Sequence, residues 1–251
     1  FPKPIFIRAE DGMKSIFADI RPDAFPLLEN ATELWPQLIA LLNEDHEYKT
    51  LVIDSVSELE QLFIKEILDK DNRARGLNQA LGGYGNGAAA VAASHARVRK
   101  AAGMLNKKRG MNIVFIAHAD IETMRLPDTD DYNRYSLRLL PKSLPAYVDN
   151  VDMVAFVRLV SALRGDDGDR KKVISSGERE LVCHATAASV SKNRYGITDP
   201  LDLPPGENPL IGLLPGLATE KKPRKAQPKK DERSAAEPAP ETEMDELEAE
   251  A

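Results

Sequence analysis

Three polar side chains stand at the ends of apolar, β-branched runs, and their types suit a shared chemistry. Leu51-Val52-Ile53 ends in Asp54-Ser55, Ile113-Val114-Phe115-Ile116-Ala117 ends in His118, and Ile5-Phe6-Ile7-Arg8-Ala9 ends in Glu10. Such runs predict strands buried on both faces of a parallel sheet, and open α/β sheets bind ligands at the carboxyl ends of their strands. A carboxylate delivered there can hold a divalent cation, usually with water in its shell. Asp54 and Ser55 also have a purely local reading, because Ser55-x-x-Glu58 is a capping box that would start the next helix. One polar strand end means little; three in succession predict one crevice, against the plainer alternative of caps and satisfied core polar groups.

The elements that must position these residues follow from periodicity. Pro4–Ala9 reads as a strand that leaves at Glu10-Asp11-Gly12. Asn30–Glu33 offers N-cap choices before Leu34, Leu38, Ile39, Leu41 and Leu42, which recur at helical spacing, with Pro36 tolerable in the first turn. After the Asp54 strand, Val56, Leu59, Leu62, Phe63 and Ile67 give a second helix one apolar face. Residues 71–87 lose that period and end in Gly82-Gly83-Tyr84-Gly85-Asn86-Gly87, the composition of a mobile loop. An Ala-rich helix from about Ala88 to Arg109, closed by Gly110, leads into a second deeply buried strand, Asn112–His118. Residues 119–135 read as polar and irregular. Further strands are expected at 136–140, 152–160 and 180–190, the last two antiparallel neighbours joined by the charged turn Arg164–Arg170, and Lys142–Val148 suits a short helix. Strand and helix alternation of this kind predicts an α/β fold.

Of 251 residues, 42% are hydrophobic, enough for one core, placed here in residues 1–217. From Glu220 to Ala251 there are seven Lys or Arg and ten Asp or Glu, a net charge of −3, and almost no large apolar side chains. Residues 218–251 are therefore expected to be a disordered, charged tail. A formal charge of −6 excludes coating of nucleic acid by bulk positive charge and leaves only local basic patches for that purpose. The single Cys183 excludes an intrachain disulfide and fits a reducing cytoplasm. No apolar run approaches the roughly 20 residues of a membrane span. The opening Phe1-Pro2-Lys3-Pro4-Ile5 reads as the approach to a strand already inside a fold, so the sequence is expected to begin part way through a larger domain.

In their order and spacing, Ile5–Gly12, Leu51–Ser55, Ile113–His118 and Lys192-Asn193-Arg194-Tyr195-Gly196 resemble the successive motifs of RecA-like P-loop ATPases. The nearest resemblance is to the phage group of RecA-core single-strand annealing proteins, and it covers about Pro4 to Leu203. It implies a mostly parallel central sheet extended by antiparallel strands, with ATP and Mg²⁺ as ligands. It further implies Glu10 as the carboxylate that polarises water, Asp54 as the Mg²⁺-associated Walker B acid followed by Ser55, and His118 as a sensor of the terminal phosphate. Lys192 and Arg194 would reach phosphates at a neighbouring subunit, which makes hydrolysis depend on assembly. One motif is missing: no Gly-x-x-x-x-Gly-Lys-Ser/Thr loop occurs in the 251 residues. The resemblance places it, with its strand and helix, before Phe1, and residues 1–251 alone should bind ATP poorly.

The same resemblance turns two segments toward single-stranded DNA: residues 71–87, with Arg73, Arg75 and Tyr84, and residues 119–135, with Arg125, Tyr132, Arg134 and Tyr135. Cations and stacking rings suit single strands, while Asp128, Asp130 and Asp131 would repel phosphate. The functional expectation is a DNA-dependent ATPase of phage recombination or annealing. It would be homo-oligomeric, work in the cytoplasm of a bacterial host, and have a single-strand-binding protein as a plausible partner. A non-hydrolysing DNA-binding or scaffold module on the same fold is the alternative, and a helicase loader or hexameric motor a third.

Overall fold

Two rows of apolar side chains across three parallel strands decide where the core lies. In the computed structural model, which describes residues 1–164 and 172–217, strands β1 (Pro4–Arg8), β2 (Asp23–Ala24), β3 (Thr50–Asp54) and β4 (Asn112–Ile116) form one sheet in the order β2-β1-β3-β4. Every neighbouring pair is parallel. Ile5, Leu51 and Ile113 stand opposite one another, as do Ile7, Ile53 and Phe115, and the two-residue period puts both rows on one face. Against that face pack α1 (Leu34–Asn43) through Leu34, Leu38 and Leu41, α2 (Val56–Lys70) through Val56, Leu59 and Phe63, and α3 (Asn86–Arg109) through Val91, Val98 and Leu105. Each such side chain contributes about 1.5–3 kcal/mol when fully buried, so these rows and stripes hold the sheet's helical face closed.

The helix starts obey local chemistry. Asn30 accepts the Thr32 N–H at 3.1 Å and opens a 3₁₀ turn, Ala31–Glu33, that runs into α1, with Pro36 in the first turn as expected. Ser55 Oγ accepts the Glu58 N–H at 3.3 Å and caps α2. Between α2 and α3 the chain closes on itself where Asp71 Oδ2 accepts the Leu81 N–H at 2.8 Å. Leu81, Gly82, Gly83, Tyr84 and Gly85 all have positive φ there, and α3 starts at Asn86, two residues earlier than expected.

Several expectations are corrected beyond β3. The second buried strand stops at Ile116 and is only half-buried, because β4 is an edge: no strand among the described residues pairs with its far side. Residues 119–135 are not irregular but contain most of a six-pair antiparallel ribbon, β5 (Ala119–Met124) with β6 (Tyr132–Leu137). An exposed two-stranded ribbon needs no apolar face, so its sequence carries no alternation to reveal it. It also absorbs the strand expected at 136–140. Beyond the short helix α4 (Pro145–Val148) lie β7 (Met153–Val154), β8 (Phe156–Arg164), β9 (Lys172–Val182), β10 (Lys192–Asn193) and β11 (Leu201–Asp202). β8 and β9 are antiparallel as expected, but β9 ends at Val182 rather than Val190. The antiparallel strands form sheets of their own, β5-β6, β7-β10 and β11-β9-β8, instead of extending the parallel one. The turn past Arg164 and the tail expected at 218–251 lie outside the described residues.

Gly87, inside the first turn of α3, is pressed against the preceding loop: a Cβ there would sit 2.3 Å from the Leu77 carbonyl oxygen and 3.0 Å from Leu77 Cδ1. Backbone cannot yield as a side-chain tip can, so Gly87→Ala is expected to cost about 1–3 kcal/mol. Thermal unfolding checks this, with a Tm drop of about 2–4 °C per kcal/mol at this chain length.

Candidate functional site

Strand register assembles the rim before any side chain is considered. Arg8, Asp54 and Ile116 form the last cross-strand row of the parallel sheet. Glu10 and His118 each lie two residues past that row on their own strands, so both stand beside Asp54. The Ala9 N–H donates to the Asp54 carbonyl at 2.7 Å and holds the exit of β1 against β3. The His118 N–H donates to the buried Ser57 Oγ at 3.0 Å and holds the exit of β4 against α2. His118 Nε2 then lies 3.1 Å from Glu10 Oε1. The three residues are thus neighbours at one edge of the parallel sheet, though the cavity beside β4 is lined by His118 alone of the three.

Their electrostatics are those of a crowded acidic site. Burial, and then the neighbouring Glu10 carboxyl, push Asp54 above the usual carboxylate range, with His118 acting in the opposite direction. Two residues not anticipated complete the rim. Glu58, one turn into α2, and Arg138, the residue after β6, meet at 3.4 Å, and the Arg138 guanidinium also rests on His118 Nδ1. The Arg138 N–H donates to the His118 carbonyl at 2.8 Å, one rung beyond the Ala119–Leu137 pair of the ribbon. A guanidinium only donates, so a hydrogen bond at this contact would need Nδ1 as its acceptor and would leave Nε2 to carry a proton toward Glu10. Glu58 therefore makes half of a capping box. Its N–H takes the Ser55 hydroxyl, but its carboxylate faces Arg138, and Ser55 itself is a buried cap.

Behind the rim lies a buried brace. Both carboxylate oxygens of Glu60 accept the Leu140 N–H, at 3.1 and 2.9 Å. His95 Nε2 lies 3.4 Å from Glu60, and His95 Nδ1 lies 2.7 Å from the Tyr147 hydroxyl. Burial pushes the Tyr147 phenol far up, so it stays protonated. Ser57, Glu58 and Glu60 were legible as early residues of α2 once Ser55 was taken as its cap. Nothing in the spacing marked Arg138, which reaches the rim only because the ribbon returns its chain there.

The donor set suits one class of cation. Among the described residues no group of three or more His, Cys, Asp or Glu is arranged to hold a metal ion alone. Glu10 and Asp54 are oxygen donors, and Mg²⁺ is held by one or two carboxylates together with water and phosphate oxygens. The phosphate cradle itself has no counterpart within residues 1–251.

The remaining expected site residues lie elsewhere. Lys192 Nζ donates to the Asp149 carbonyl at 2.8 Å, and Arg194 pairs with Asp152 at 2.9 Å, so neither joins the Glu10 group. Arg73 and Arg75 are exposed, without an ion pair among the described residues, and Tyr84 is fully exposed. In the ribbon, Arg125 pairs with Asp131 at 3.5 Å and Arg134 with Glu122 at 2.5 Å, Tyr132 is half-buried, and Tyr135 stacks on Phe156. No described helix is long and apolar enough to cross a membrane.

A family model described as "AAA domain" matches residues 1–195. No curated protein and no solved structure matches the chain. The Asp54 shift has a testable sign. A carboxyl raised in the folded state binds its proton more tightly folded than unfolded, so stability falls as pH rises from the ordinary carboxylate range through the raised value, and stays lower at neutral pH. Without Mg²⁺, Asp54→Asn is expected to melt higher than the parent at pH 7, with the gap closing on acidification in differential scanning calorimetry.

Proposed function

We propose that this chain, which belongs to the AAA domain family, is the core of a RecA-like, DNA-dependent ATPase acting on single-stranded DNA in phage recombination or annealing. Family membership gives the nucleotide-dependent ATPase; the convergence of Glu10, Asp54 and His118 on one rim carries the finer reading. Phosphoryl transfer asks mainly for positioning and neutralised charge. Bound Mg²⁺–ATP supplies the phosphoryl group and the cation that offsets its charge. Glu10, with one oxygen engaged by His118, keeps the other to accept a proton from the attacking water. Asp54 would help hold Mg²⁺ through its water shell; burial, and then the neighbouring Glu10 carboxyl, raise its pKa. His118 contacts the terminal phosphate, and Ser55 keeps Asp54 at the start of α2. Lys192 and Arg194 act on the nucleotide of a neighbouring subunit; their exposed partners are weak and exchangeable.

The open edge of β4 could take a further parallel strand. Asn112–Ile116 carries no charge or proline to guard the edge. A cavity of about 340 Å³ runs beside it, lined by Ile113–Phe115, Val151–Phe156 and Phe1 and reaching His118. A parallel strand seated there would deliver its carboxyl end to the rim. The second reading is a non-hydrolysing DNA-binding or scaffold module on the same fold. The genomic frame separates the two: a Gly-x-x-x-x-Gly-Lys-Ser/Thr motif within a few dozen codons upstream supports the ATPase, a start codon beside Phe1 the scaffold.

For DNA, residues 71–87 are the stronger surface, because Arg73, Arg75 and Tyr84 are unengaged while Arg125 and Arg134 already face carboxylates. Partners in this reading are further copies of the chain and a single-strand-binding protein, in the cytoplasm of a bacterial host. In the full-length protein, Asp54→Ala should lower DNA-stimulated phosphate release at least about 100-fold and Glu10→Gln about 10²–10⁴-fold; unchanged turnover removes that residue from the mechanism. Replacing Arg73 and Arg75 by Ala should flatten the dependence of log K on log salt by about 1.4, two phosphates at about 0.7 each. Tyr84→Ala should weaken single-strand binding by about 1–3 kcal/mol, measured by fluorescence anisotropy.

A further inference from the structure

The helix α1 is apolar on two sides, although the core covers only one. Its ten residues include no charged side chain. Leu34, Leu38 and Leu41 face the core, while Trp35, Ile39 and Leu42 recur at i, i+4 and i+7 on the adjoining flank. Trp35 and Leu42 are half-buried, and Ile39 is 55% exposed. Single apolar side chains on a surface need no explanation, but a row of them on an uncharged helix is the pattern of a face that another element covers.

The helix α3 supplies the other half of this face. Arg97 lies over the Trp35 ring, 4.2 Å from its centre, and Arg109 Nε donates to the Leu42 carbonyl at 3.0 Å. The two helices therefore run side by side in the same direction, and Arg97, Ala101, Met104 and Lys108, at helical spacing, border the α1 row. Lys100 and Lys107 stand on the outward side next to them, both exposed. No Asp or Glu occurs in α3, and among the described residues Arg97, Lys100, Lys107 and Lys108 pair with no carboxylate. In a chain of net charge −6, this is a concentrated basic strip beside an apolar one.

The two chemistries together select the partner. We propose that the α1–α3 face docks an acidic amphipathic helix of a partner protein, with its apolar side chains on Trp35, Ile39 and Leu42 and its carboxylates toward Lys100, Lys107 and Lys108. The α1 row is about 10 Å long at 1.5 Å per residue, and its spacing matches the anchors by which such a helix binds. Arg97, already laid against Trp35, loses little freedom on binding, and the pair has the composition of an interface centre. A nucleic-acid strand fits less well, because Arg97 occupies the ring face on which a base would stack and Ile39 and Leu42 offer nothing to phosphate. A second copy presenting the same face would bring cations against cations. None of these residues belongs to the Glu10 rim or to residues 71–87, so the proposal stands independently of the ATPase reading.

Trp35 is the only tryptophan of the chain, so its fluorescence reports this face alone. The probe is a synthetic peptide of roughly 18 residues, about five helical turns, with Leu along one face, Glu on its flanks and Ala elsewhere. Added to the full chain, it should bind saturably, move Trp35 emission to shorter wavelength and bind more weakly as NaCl screens the charges. Ile39→Glu should weaken binding at least about tenfold, and Lys100→Ala with Lys108→Ala about three- to tenfold with a flatter salt dependence. The lysine pair keeps the test decisive should Ile39→Glu fold poorly. A peptide that does not bind overturns the proposal, as does equal binding of a peptide with Ala at every Leu, or binding that either variant leaves unchanged. Oligo-dT that shifts Trp35 emission, with the shift lost in the lysine variant, overturns it in favour of nucleic acid. A blue shift that grows with protein concentration alone overturns it in favour of a second copy.

Discussion

The first two turns of α2 grip parts of the chain that are distant in sequence and set them at the rim. Ser55 caps the helix, Ser57 takes the His118 N–H, Glu58 faces Arg138, and Glu60 takes the Leu140 N–H. Each is a hydrogen bond that would contribute only about 0.5–1.5 kcal/mol net, or more where charged. Their joint effect is geometric. α2 begins two residues after Asp54, so every group it grips is indexed to that carboxylate. The exit of β4 and the return of the β5-β6 ribbon are thereby set against β3, although they are distant in sequence.

The rim that results is under electrostatic tension. Burial, and then the neighbouring Glu10 carboxyl, disfavour the ionisation of Asp54. A stability-optimised protein would place a cation or an amide at one of these positions. Of the guanidinium groups nearby, Arg8 faces Asp11 and Arg138 faces Glu58. The apolar rows beneath, Ile5-Leu51-Ile113 and Ile7-Ile53-Phe115, supply the stability against which this tension is tolerated.

Beyond β3 the chain follows a different logic. β4 is an apolar strand left unpaired on one side, beside a cavity whose opposite wall is another extended segment, Val151–Phe156. The ribbon and the β8-β9 pair are exposed antiparallel structures that do not join the parallel sheet. Lys192 and Arg194 belong to this part and bond to the Asp149 carbonyl and the Asp152 carboxylate.

The amino-acid sequence by itself determined the parallel strands, the three helices that cover them and the three polar strand ends. Buried β-branched runs, helical apolar spacing and cap residues are local signals, each written within a few positions. It did not determine the ribbon at 119–137, since a polar antiparallel pair needs no apolar alternation, nor the end of β9 at Val182, since the run to Val190 keeps strand-forming residues that find only one isolated bridge. Only the tertiary structure decided that Arg138 meets His118 and Glu58, and that Arg194 meets Asp152 instead. Both outcomes depend on where long-range pairing returns a chain, and a side chain's type records its chemistry but not its neighbours.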